Sequence, residues 1–511
     1  MRLPRLLAIL FALSPALCAA QTPARNTVTG TVVNSATDEP LRRALVSVGA
    51  SLVITGADGR FRVEGIPQGQ IMIAAQKPGY FDCATLGCAN GSPARVSINV
   101  QSGANDVLLK LLPESKIEGR VADQDGEPIG YVQLQIQGEH IFNGQKQFRL
   151  DGNAITDENG TYRVENLLPG TYTVKTMARP VFWSDAGRGV NAEVYPQRFF
   201  PNAPDAASAQ PLDLRPGQVA TADFTLTSAG AFTINGSVAP AVPSLSLDVE
   251  DADGTQIDPQ FQFDPKSGKF SLSFIPAGVW RLEFTCNQAD GHSLYATHIV
   301  TVNSHDIKGL PIALQPLASI PVNLVNGQVD VQLVSAGPRR KGDILGDTGP
   351  LSTPGAGRVI NGVPPGDYRV LVPASANQCV DSVTSGNIDL TREDLIVAPG
   401  SQPQPISLTL REDCASLRVA IHPQNSNAQP TVLLIPASRA MPPVTTQLDS
   451  TGSYVFTGLS PGEYQAYAFS SLDGLEYANP EVMREFSGQQ ITLSPNQHAS
   501  ITLDVIVRGE T

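Results

Sequence analysis

One turn sequence recurs five times along this 511-residue chain, and it limits the fold more than any other feature. It starts with a glycine and two apolar residues at alternate positions. A Pro-containing step, a second glycine and a bulky residue two places later complete it. The copies are Gly59 to Ile71, Gly160 to Tyr172, Gly268 to Trp280, Gly357 to Tyr368 and Gly452 to Tyr464. The copy at Gly357 is one residue shorter, and the second glycines (Gly69, Gly170, Gly278, Gly366, Gly462) lie 101, 108, 88 and 96 residues apart. The first glycine follows Asp58, Asn159 or Ser267, which suits a turn of positive φ. Phe61 and Val63, Tyr162 and Val164, and Phe270 and Leu272 alternate as one inward strand face. Proline blocks ladder continuation and the second glycine permits reversal, so the motif predicts a repeated β-hairpin.

Other pieces recur with it. A closing strand ends each unit: Val107 to Leu111, Ala222 to Leu226, Leu310 to Leu314, Pro405 to Leu410 and Ile501 to Val505. The first two units open alike, Gly30 with Pro40 and Ala44 to Val48 matching Gly119 with Pro128 and Val132 to Ile136. With 45 Gly and 41 Pro there is no room for long helices, and 41% hydrophobic residues are too many for disorder. The expected fold is all-β, a tandem array of five two-sheet sandwiches of roughly seven strands each. The expected boundaries are 1–20 for a leader, then 21–113, 114–228, 229–316, 317–411 and 412–511.

Two stretches carry a specific resemblance. Gly30 with Pro40, Ala44, Val46 and Val48, followed by Asp58-Gly59, Phe61, Val63, Ile66-Pro67 and Gly69, resembles the bacterial carboxypeptidase regulatory-like domain. Residues 28–112 and 116–228 resemble it throughout, and the later units keep the turn and the closing strand. The resemblance implies a prealbumin-like sandwich, grouped with carbohydrate-binding-like folds, that performs no chemistry itself. The segment from Tyr195 to Pro211 also resembles exported multi-domain proteins that carry such modules.

The first residues read as an export signal: Arg2 and Arg5, an apolar run from Leu6 to Leu13, and small residues Ala19 and Ala20 before Gln21. That run is too short to span a bilayer, and no later run is long and apolar enough. Formal net charge is −13, or −15 without the first twenty residues, which disfavours nucleic acid and anionic membranes as partners. An oxidising destination permits disulfides. Cys83 and Cys88 flank a short turn-like stretch and are expected to bridge, with a zinc site as the rival reading. Cys379 and Cys414 are expected as a second bridge, and Cys286 is expected to lack a partner in its own unit.

Catalytic motifs are missing from the sequence. There is no His-Glu-x-x-His, Gly-x-Ser-x-Gly or phosphate-binding glycine loop, and no His has the metallocarboxypeptidase spacing. No cofactor and no metal are expected. His292, His298 and His305 fit no ligand spacing. Val249 and Gln260 spoil the calcium-loop pattern around Asp251 and Asp253. Asp123 with Asp125, and Asp157 with Asn159, read as Asx turns. The longest insertion, 178–204, holds Phe182, Trp183, Tyr195, Phe199 and Phe200. These rings could stack on sugar faces, or they could anchor the loop to the sandwich edge. The expected function is an exported, non-enzymatic binding or scaffold protein whose partner is a carbohydrate, a cell-surface polymer or another surface protein. A purely structural spacer is the alternative, and a hydrolase stands last.

Overall fold

The structure is a computed structural model describing residues 26–81, 94–101, 104–181, 193–251, 254, 256–257, 259–287, 293–325, 329–336, 344–347, 358–373, 378–422, 430–447 and 452–508. The leader expected at 1–20 lies outside them. The described residues form ten sheets that pair in chain order into five sandwiches, here called units one to five. The all-β array expected from the turns is the fold observed. No helix among the described residues is long and apolar enough to cross a membrane.

All units share one plan. The opening strands are Asn26–Asn34, Ser115–Asp123, Ala229–Ala239, Ala318–Val325 and Ala415–Ile421. The closing strands are Ala104–Pro113, Phe224–Leu226, Ile307–Ala313, Ile406–Arg411 and His498–Leu503. Each closing strand lies parallel beside the opening strand of its own unit. The chain therefore enters and leaves each unit through a single sheet. Between closing and opening strands run two residues after unit two and three after unit four. Such linkers leave little slack.

The repeated turn differs from expectation. Its first strand (Arg60–Ile66, Thr161–Leu167, Lys269–Pro276, Arg358–Val363, Ser453–Leu459) pairs with the opening strand. Its second strand (Gly69–Gln76, Gly170–Thr176, Gly278–Asn287, Gly366–Leu371, Gly462–Phe469) belongs to the other sheet. The motif is an arch between sheets, not a hairpin. Strand alternation is the same in both, but here the two inward faces meet across the core. Phe61 from one sheet and Ile73 from the other are both buried in unit one.

Two glycines make the arch fit. Gly59, Gly160, Gly268 and Gly452 have φ of 70°, 70°, 67° and 70°, a region that favours glycine. Each sits flush on the opening strand, accepting a hydrogen bond from Val32, Val121, Val238 or Ile421 N–H. On the opening strand, a Cβ at Gly30 or Gly236 would collide with a closing-strand carbonyl, and one at Gly119 with Ala222 O just before the closing strand. The motif ring (Phe61, Tyr162, Phe270) covers that gap. Unit four is different. Its turn copy is one residue shorter, and Ile360 points inward while Val359 is 42% exposed.

The bulky residue after the arch has its own task. Trp280 Nε1 donates to Pro276 O at 2.9 Å, and the Tyr368 and Tyr464 hydroxyls donate to Pro364 O and Ser460 O, both at 2.7 Å. The polar tip thus ties the turn four residues back, while the ring stays buried.

The chain packs into two compact bodies, one of residues Met1–Ile117, Glu165–Pro169 and Leu214–Ala220, the other of Glu118–Val164, Gly170–Asp213 and Thr221–Thr511.

Candidate functional site

The insertion of unit two is a structural ribbon. Strands Arg179–Val181 and Glu193–Tyr195 pair antiparallel, and Glu193 and Val194 pair with Gly230 and Ala229 of the unit-three opening strand. Residues contributed by unit two therefore extend a sheet of unit three. Phe182 and Trp183 lie in the connection between the ribbon strands, outside the described residues. Tyr195 is half-buried opposite Arg179, and burial pushes its phenol pKa up, with Asp123 adding to the effect.

Phe199 is a correction. The sequence suggests a ligand platform, but the residue is 1% exposed and stands opposite Lys175 inside the unit-two sheet. A ring so enclosed cannot stack on a sugar face. Phe200 packs edge-on against Phe224. The described rings of this insertion anchor it.

Polar groups line the same junction. Lys175 is 2% exposed, with its ammonium 6.0 Å from the Phe199 ring centroid. Burial brings its pKa down to about 8, and the Asp251 charge opposes that shift. Gln197 Nε2 donates to Asp251 Oδ2 at 2.7 Å, and Arg198 Nη1 donates to Gln197 O. Asp251, the first acid of the failed calcium pattern, is thus engaged across the joint. Nothing in the sequence flagged Lys175, because alternation does not show that a strand is covered on both faces.

The disulfide Cys379–Cys414 is formed, with Cα atoms 5.7 Å apart. It ties the strand Cys379–Ser385 of unit four to the linker before unit five. Cys286 is a free, buried thiol. Cys83 and Cys88 lie outside the described residues. At the four–five joint Ala440, from a unit-five loop, is fully buried in the unit-four core, and its carbonyl accepts from Val372 N–H. Val380 N–H donates to Ser460 Oγ, and Arg439 Nη2 donates to Asp394. A cleft of about 40 Å³ remains there, lined by Val380, Leu410, Met441, Leu459 and Tyr464.

Asp123 Oδ1 accepts from the Asp125 and Glu127 amides, and Asp157 Oδ1 from the Asn159 and Thr161 amides, which is Asx-turn geometry. His298 stands on the strand Ser293–Val302, and His305 is exposed. Among the described residues no three His, Cys, Asp or Glu side chains gather as metal ligands.

Comparison with known proteins agrees with the motif reading at the N-terminus. Residues 27–101 and 116–227 match the family model described as the carboxypeptidase regulatory-like domain. No curated protein matches the chain. Similar solved structures include the Bacillus anthracis TIE protein (14% identity, 57% of this chain, 51% of that one, TM-score 0.18). The present chain spans about half the length of that protein. The major pilin subunit of Bacillus cereus aligns at 12% identity over 57% of this chain and 99% of its own, with TM-score 0.17. The shaft pilin of Lactobacillus rhamnosus GG aligns at 10% over 41% and 99%, with TM-score 0.21. Likeness at these values says nothing about what the chain does.

Proposed function

We propose that this chain, which opens with two carboxypeptidase regulatory-like domains, is an exported, non-enzymatic scaffold of five units, 21–113, 114–228, 229–316, 317–411 and 412–511, of which the last four hold a fixed geometry. The observation that carries this reading is the construction of the joints. Unit two lends strands to unit three, and a disulfide and a buried alanine lock unit four to unit five. Domains that only need to be tethered do not require shared sheets and shared cores. Spin labels at His305→Cys and Asp473→Cys, in units three and five, test it. One narrow distance distribution is expected; a broad one would remove the fixed-geometry reading.

Binding of a carbohydrate or cell-surface polymer is the finer form of this proposal. Phe182, Trp183 and Tyr195 of the unit-two insertion are its remaining platform residues. Titrating the same protein with polysaccharides, while reading tryptophan emission, separates a spacer from a binder.

A further inference from the structure

The tip of one unit-two hairpin meets unit five. Strands Gln133–Phe142 and Gln145–Ile155 are joined by Asn143 and Gly144, whose φ values are 49° and 73°, the pattern of a tight primed turn. Gly144 O accepts from Ala478 N–H at 2.9 Å. The Tyr477 ring lies over Gly144 so closely that a Cβ there would collide with it. Lys146 Nζ stands 2.7 Å from Glu139 Oε2 on its own hairpin and 3.8 Å from Glu476 Oε1 of unit five.

The unit-five side is a built surface. The segment between strands Gly462–Phe469 and Gln489–Leu493 carries a one-turn helix, Pro480–Met483. It covers the outer sheet face through Leu475 and Met483, packed with Leu433, Tyr467 and Phe469. Tyr477 extends that cluster toward the hairpin.

We propose that this contact is a clasp that closes units two to five on themselves and limits the bending left at their joints, so that the reach of the scaffold grows when the clasp opens. One backbone hydrogen bond and one exposed ion pair would not hold two free domains together. The rigid joints between the units change that. Ribbon pairing fixes unit two to unit three, and Leu317 N–H, at the entry to unit four, donates to Ser293 O of unit three. The disulfide fixes four to five. Each rigid joint raises the effective concentration of the tip at its seat. The clasp is therefore a sum of good joints and a weak lock, which is how a releasable strap works.

Zero-length carbodiimide coupling of the full chain at low ionic strength reads the lock directly. The monomer is digested and its links are identified by mass spectrometry. The Glu139–Lys146 link reports on the hairpin alone, and the Lys146–Glu476 link reports on the clasp. Both are expected in the wild type. Gly144→Ala, which places a methyl group against the Tyr477 ring, should keep the first link and reduce the second at least tenfold. Tyr477→Ala leaves the hairpin sequence untouched and should do the same. Small-angle scattering should then show a larger maximum dimension for both variants. A wild type with the Glu139 link and no Glu476 link overturns the proposal. So does a Glu476 link that persists in both variants.

Discussion

Lys175 shows how a residue can be placed against its own preference. Its ammonium is buried, and its pKa of about 8 in the fold lies below the ordinary 10.5. Below pH 8 both folded and unfolded chains carry the proton, and the fold bears the whole cost of the buried charge. Between pH 8 and 10.5 the unfolded chain binds more protons, so stability rises with pH. The wild type should therefore gain about 3 kcal/mol relative to Lys175→Met across that window. Urea unfolding midpoints of both proteins, measured at several pH values, check the difference. Parallel curves would mean that the lysine has ordinary access to water. A depressed lysine invites a catalytic reading, but at 2% exposure it has no path to a substrate and acts on the joint alone.

Among the elements, the arch separates what periodicity reveals from what it hides. Alternation at Phe61 and Val63 identifies a strand and its inward face; it does not say which strand lies beside it. Hence the turn was legible and its partners were not. Gly236 was not singled out in the sequence; the collision its Cβ would make with Leu310 O and the Phe270 ring reveals it. It shows that unit three uses the same glycine-and-ring device, although the opening sequence around it has diverged. Asn143-Gly144 is a strong hairpin signal in plain view, yet its seat on unit five is a long-range contact that no local pattern encodes. The insertion rings were found, but composition could not distinguish a sugar platform from an anchor, and Phe199 proved to be the latter. The arch also predicts an energy. Burial holds the Tyr464 phenol well above its usual pKa, so its proton stays in the bond to Ser460 O. Tyr464→Phe leaves that buried carbonyl unpaired and should cost unit five about 1–2 kcal/mol. Half-exposed Tyr454→Phe is the comparison and should leave the urea midpoint in place. An equal midpoint for Tyr464→Phe would show that ring packing alone holds the arch.

For the whole molecule, the joints decide whether the array behaves as beads or as a body. Each unit has its own core, and tandem domains with separate cores can unfold one at a time. Units four and five are built against that outcome. Ala440 belongs to the unit-five loop between strands Thr431–Pro436 and Val444–Gln447, yet it is fully buried with Ile320, Val322 and Tyr368 of unit four. The disulfide adds a covalent tie across 35 residues, a constraint of about 4 kcal/mol in the chain-entropy account. If the shared core couples the units, a charge at that alanine must loosen both. Ala440→Asp should therefore lower hydrogen-exchange protection in Val432–Leu434 and in Ile320–Val322 together, by comparable factors. The full chain is used, with the disulfide intact, so that a loss of the covalent tie is not mistaken for a loss of packing. Reducing the wild type should weaken both segments less than the substitution does, because Ala440 remains seated when the Cys379–Cys414 bridge opens. Loss confined to the unit-five strand would show that the buried alanine is a local plug, and the two units would then be separate beads joined by a disulfide.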